Sequence, residues 1–81
     1  MIESILDGAH RAPHLRTRVW FDGKSWRWGA TGPRVASVMR PGDRMSILDG
    51  ESWYVCGPFK TEQAAKADLA FFVQAYRGED Q

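Results

Sequence analysis

The stretch TRVWFDGKSWRW, Thr17 to Trp28, constrains this chain more than any other. Asp22-Gly23 lies between two runs rich in β-branched and aromatic residues, the strongest short-range signal of a two-residue hairpin turn. Closing the chain there sets Phe21 opposite Lys24, Trp20 opposite Ser25, Val19 opposite Trp26 and Arg18 opposite Arg27. Side chains alternate along a strand, so this register sorts them by face. Val19, Phe21, Trp26 and Trp28 share one face and make a core. Arg16, Arg18, Trp20, Ser25 and Arg27 share the other, which is too charged to bury. Opposed arginines repel, and Trp20 lies diagonal to Arg27, within stacking reach. The hairpin therefore predicts a sheet covered on one side and open on the other.

A second Asp-Gly pair, Asp49-Gly50, is flanked by Asp43 to Leu48 and Ser52 to Cys56. DGKSW at Asp22 to Trp26 recurs as DGESW at Asp49 to Trp53, and SILDG occurs at Ser4 to Gly8 and Ser46 to Gly50. The shared chemical demand of tight turns accounts for these echoes without a duplication. A three-residue loop, Leu48-Asp49-Gly50 with Gly50 at positive φ, is the cleaner register. It groups Met45, Ile47, Trp53 and Val55 on one face, with Arg44, Ser46, Ser52, Tyr54 and Cys56 on the other. A two-residue loop instead groups Leu48, Trp53 and Val55 with Glu51 and Arg44. Between the hairpins, Gly29 to Pro33 reads as a loop, and Arg34 to Met39 as a third strand ended by Pro41-Gly42.

Gly57-Pro58 is expected to break the last strand before the one strong helix signal. Thr61 is its N-cap, and Glu62 complements the dipole. Ala65, Leu69, Phe72, Val73 and Tyr76 form a single apolar stripe. Arg77 sits in the last turn, with Gly78 as a left-handed stop. Phe71 lies off the centre of the stripe, where it widens the buried face or stays exposed to a partner, burial being the favoured expectation. Glu79 to Gln81 is a frayed tail. Residues 1–16 read as an N-terminal arm or short helical turn, because Asp7-Gly8 and Pro13 interrupt the helical spacing of Ile2, Ile5 and Leu6. Residues 17–81 read as a single β-sheet-plus-helix domain. The expected class is α+β, an antiparallel sheet of three to five strands in two Asp-Gly hairpins. One C-terminal amphipathic helix packs on one face, over Trp26, Trp28 and Trp53.

Composition limits the function classes. Eighty-one residues make one domain, and 43% hydrophobic with 26% charged residues excludes wholesale disorder. The longest apolar run, Leu69 to Val73, is too short for a bilayer span. No basic-then-apolar leader opens the sequence, and Cys56 is the lone cysteine, so a cytoplasmic address without disulfides is expected. Residues 1–44 carry +4 and residues 45–81 carry −3, within a net charge of +1. Eight arginines stand against three lysines. That bias suits bidentate contacts to phosphate or carboxylate, and GC-rich coding produces it too.

Catalytic signatures are missing: there is no nucleophile elbow, P-loop, dinucleotide fingerprint or metal-ligand spacing. His10 and His14 are separated by Pro13 and read as exposed loop residues without completing ligands. Cys56 lies in a strand and reads as packing, not as a nucleophile. An enzyme is not expected, nor a cofactor or metal. The candidate binding residues are Arg16, Arg18, Trp20, Lys24, Arg27 and Arg34. Four tryptophans exceed ordinary core filling, and Trp and Arg are enriched at binding hot spots.

Three resemblances bear on the partner. WYVCGPFKTEQAAKADL, Trp53 to Leu69, resembles the final strand and helix of the arm-type DNA-binding domains of tyrosine recombinases. The likeness implies three strands on a helix and a sheet that reads the major groove. The reading strand it implies, Glu51 to Gly57, carries an acid and no lysine or arginine. RPGDRM, Arg40 to Met45, with the DGESWY that follows, is similar to the opening strands of Tudor-like and KOW-like barrels, which bind peptides, proteins or RNA. In format the chain is similar to small phage and mobile-element inhibitors of the anti-CRISPR type. The expectation is a non-catalytic interaction module that binds and blocks a host protein or nucleoprotein complex. The alternative is a small DNA- or RNA-binding domain using the Arg/Trp hairpin face. Either is a monomer or homodimer with no membrane partner.

Overall fold

The computed structural model describes residues 14–79. Residues 1–13 of the N-terminal arm expected over 1–16, with His10, and the last two tail residues lie outside the described residues. In order, the elements are β1 (Arg16–Phe21), β2 (Trp26–Thr31), α1 (Val35–Val38), β3 (Met45–Leu48), β4 (Glu51–Phe59) and α2 (Glu62–Glu79). The four strands make one antiparallel sheet in the order β1-β2-β4-β3, with α2 across one face. The fold is α+β, as the patterning implies. Strand β1 begins at Arg16, and Leu15 before it is already buried.

The first hairpin is wider than a two-residue turn. Phe21 pairs with Trp26, Trp20 with Arg27, Val19 with Trp28 and Arg18 with Gly29. The physical reason is Asp22, whose Oδ1 accepts the backbone N–H of Lys24 and of Ser25, each at 2.9 Å, holding a four-residue loop closed. This shifts the register by two residues, so the faces sort as expected while Arg18 and Arg27 no longer oppose each other. Phe21 shares the core face but lies at its margin, 53% exposed and tilted against Trp26.

The second hairpin overturns the three-residue loop. Leu48 pairs with Glu51, Ile47 with Ser52, Ser46 with Trp53 and Met45 with Tyr54. Asp49 and Gly50 both have positive φ, 51° and 81°, as a two-residue type I′ turn requires. Tyr54 and Cys56 therefore face the helix, and Trp53 and Val55 face away from it. Trp53 does not lie beneath α2.

Four further expectations fail for local reasons. Gly29 to Thr31 is the end of β2 and not loop, because Gly29 and Ala30 pair with Val55 and Tyr54. Arg34 to Met39 is not a strand. A tight turn leads into α1, with N–H bonds from Val35 to Gly32 O, Ser37 to Arg34 O and Met39 to Val35 O, and Val35 is fully buried. Strand β4 runs through Gly57-Pro58, because a bulge there sets Cys56 opposite Trp28 but Phe59 opposite Trp26. The bulge accommodates a proline with no N–H to donate. Gly57 is confined to glycine, since its φ is +148° and a Cβ would lie 2.8 Å from Cγ of Arg27. Gly78 is not a left-handed stop: α2 continues to Glu79.

The helix otherwise follows its sequence. Thr61 Oγ1 accepts the N–H of Ala64 at 3.0 Å, and Ala65, Leu69, Phe72, Val73 and Tyr76 are all buried. Phe71 is 73% exposed, so it does not widen the buried face. Trp28 stands at the centre of the core, edge-on to Tyr54 at 5.6 Å and tilted against Phe72 at 5.2 Å. Its indole Nε1 donates to Asp68 Oδ2 at 3.0 Å, while Arg40 Nη2 donates to Asp68 Oδ1 at 2.8 Å. The Tyr54 hydroxyl donates to Asp43 and accepts the backbone N–H of Arg40. These bonds tie the loop before β3 to sheet and helix. Burial pushes the Tyr54 phenol well above its ordinary value, with the bond to Asp43 adding to the effect.

Replacing Asp68 by Ala leaves the buried Trp28 N–H without its acceptor. The expected cost is about 1–3 kcal/mol in urea unfolding, and a change below about 0.5 kcal/mol contradicts the assignment.

Candidate functional site

The face of the sheet away from α2 is built row by row. Arg16, Thr31, Trp53 and Ser46 form one cross-strand row, Arg18, Gly29 and Val55 the next, and Trp20 with Arg27 the third. Paired residues point to the same side of a sheet, so Trp20 and Trp53 share this surface. Gly29 makes their arrangement possible. A Cβ there would lie 3.3 Å from Cζ3 of Trp20 and 3.3 Å from Cε3 of Trp53, so both rings rest on a bare backbone floor. Trp53 is only 4% exposed although it points away from α2.

Arginines lie over both rings. The Arg16 guanidinium lies 5.5 Å from the centre of the Trp53 ring, and Arg18 lies 5.9 Å from Trp53 and 5.8 Å from Trp20. These are cation–π distances, and they align the long side chains along the aromatic surface. The β3–β4 turn reaches over the same face. Arg16 pairs with Glu51 at 2.8 Å and Arg18 with Asp49 at 3.7 Å, while Arg27 Nε donates to Asp22 Oδ2 at 2.6 Å. Arg18, Trp20, Leu48 and Asp49 line an open cleft of about 290 Å³.

The pairing marks the carboxylates. The hydrogen bond from Arg27, followed by the backbone N–H groups of Ser25 and Lys24, holds Asp22 far below the usual carboxylate range. The bond from Arg16 lowers Glu51 in the same way. Cys56 sits on the opposite, helix-covered face, where burial raises its thiol.

Of the six candidate residues, Arg16, Arg18, Trp20 and Arg27 come together here. Lys24 stands in the first hairpin loop and Arg34 at the start of α1, beyond opposite ends of β2. The sequence reading missed Trp53, Gly29, Leu48, Asp49 and Glu51. The signal that would have found Trp53 and Leu48 is Asp49-Gly50 itself, taken as a two-residue turn. No helix among the described residues is long and apolar enough to cross a membrane. Comparison with protein-family models, curated proteins and solved structures gives no match.

A carboxylate with a depressed folded pKa stabilises the fold above its unfolded value, and that contribution disappears as pH falls. Asp22, ordinarily near 3.8, is such a group. Asp22→Asn should therefore be less stable than the parent at pH 7, and the gap should narrow as pH falls through about 4 towards 2. Thermal unfolding followed by circular dichroism measures both, and a gap that stays constant contradicts the pairing.

Proposed function

We propose that this chain is a non-catalytic interaction module whose open sheet face binds a partner protein or a protein surface within a nucleoprotein complex. The observation that supports this best is the pair Trp20 and Trp53 resting on Gly29 beneath Arg16 and Arg18. Trp and Arg side chains gathered on the face away from α2 have the composition of protein-binding hot spots. The face is also charge-balanced: Arg16, Arg18 and Arg27 each meet a carboxylate. A surface that binds phosphates gains its affinity from surplus cations that release counterions, and this face has little surplus. By format, one small motif-poor domain with such a surface fits an accessory protein of a phage or mobile element that blocks a host machine, in the anti-CRISPR manner.

The second reading is a small DNA- or RNA-binding domain. It draws on the resemblance of Trp53 to Leu69 to the arm-type domains and on the +4 charge of residues 1–44. It requires Arg18 and Arg27 to leave their carboxylates for phosphates while Trp20 stacks on a base.

Titration against labelled single-stranded and duplex DNA at 50 and 200 mM salt separates the two. The interaction reading predicts no specific binding by the folded domain at either salt. Binding that falls steeply with salt and disappears in Arg18→Ala/Arg27→Ala replaces it with the second reading.

A further inference from the structure

We propose that the cleft between Arg18, Trp20, Leu48 and Asp49 takes an acidic segment of the partner protein. One partner carboxylate binds Arg18, and a neighbouring apolar side chain fills the space between Trp20 and Leu48. This deepens the interaction reading and rests on it. Arg16 and Arg27 already hold their carboxylates at 2.8 and 2.6 Å. Arg18 differs: its acid, Asp49, stands at 3.7 Å, beyond hydrogen-bonding distance, and the Asp49 side chain is 87% exposed. The Arg18 guanidinium nonetheless lies over both indole rings, 5.8 Å from Trp20 and 5.9 Å from Trp53, and these contacts orient it before a ligand arrives.

Asp49 is thus a loose internal occupant of a position suited to a better-placed carboxylate. The walls select the rest of the ligand. Trp20 and Leu48 offer apolar surface inside a cleft of about 290 Å³, the size of one or two side chains. Asp49 at the rim, with Asp22 and Glu51 on the same face, opposes a continuous polyanion more than a single acid that displaces Asp49. A basic segment meets Arg18 inside the cleft and is repelled.

The test uses capped pentapeptides, Glu-Asp-Leu-Phe-Glu and its neutral and basic counterparts Gln-Asn-Leu-Phe-Gln and Lys-Arg-Leu-Phe-Lys. Each is titrated while the side-chain N–H signals of Arg18, Trp20 and Trp53 are followed by NMR. The acidic peptide alone should move all three signals. Arg18→Gln should bind it at least about tenfold more weakly. Asp49→Asn, which tolerates the positive φ of the turn, should bind it about 2- to 5-fold more tightly by removing the internal competitor. Equal binding of the neutral or basic peptide at this face, or no gain from Asp49→Asn, overturns the acidic ligand and leaves the interaction reading in place. Silence from all three peptides also overturns it. A single-stranded dodecamer of thymidylate that moves these signals when no peptide does removes the interaction reading as well.

Discussion

The two positive φ angles at Asp49 and Gly50 decide what each side of this molecule is made of. They close β3 onto β4 through two residues, and the parity of that loop determines which side chains point at α2. One extra loop residue would reverse every side chain of one strand relative to the other. With the turn as it is, Tyr54 enters the core to meet Trp28 and Phe72, and its hydroxyl reaches Asp43. Trp53, its neighbour, is sent to the opposite face. Core and candidate site are therefore two consequences of one turn.

The two faces are held by different forces. Beneath α2, Trp28, Tyr54, Leu69, Phe72 and Tyr76 are buried together, and Leu69 and Phe72 each contribute roughly 1.5–3 kcal/mol in buried apolar surface. Asp68 joins them to the surface by accepting bonds from Trp28 and Arg40 at once. On the other face the ion pairs are exposed and contribute little to stability. Their role is orientation: with the indoles, they lay Arg16 and Arg18 flat and draw the β3–β4 turn over the sheet. The core supplies rigidity, and Arg16, Arg18, Trp20 and Trp53 are arranged against it on the face away from α2.

Much of this was legible in the chain. Period-two alternation in RTRVWF and WRW places Arg16, Arg18, Trp20 and Arg27 on one face, and a two-residue shift in register leaves them there because such a shift preserves parity. The i, i+4, i+7, i+8, i+11 stripe located α2 and its core side chains, and Thr61 its cap. What was not legible depended on competition between loops. Side-chain acceptance by Asp22 widened the first turn, and the left-handed tolerance of Asp49 tightened the second. The role of Gly29 is invisible without the rings that descend on it from two other strands. Val35 to Val38 has the residues of a strand, but one helical turn buries Val35 where an added strand would need a sheet edge.

Nuclear Overhauser contacts of the Trp53 indole test the central claim, that the second hairpin delivers Trp53 to the open face. The geometry predicts contacts from Trp53 ring protons to the Gly29 α-protons and to the side chain of Arg18, with none to Leu69 or Phe72. Contacts from Trp53 to Leu69 and Phe72, with Tyr54 facing outward, would contradict the account and dissolve the site built on it.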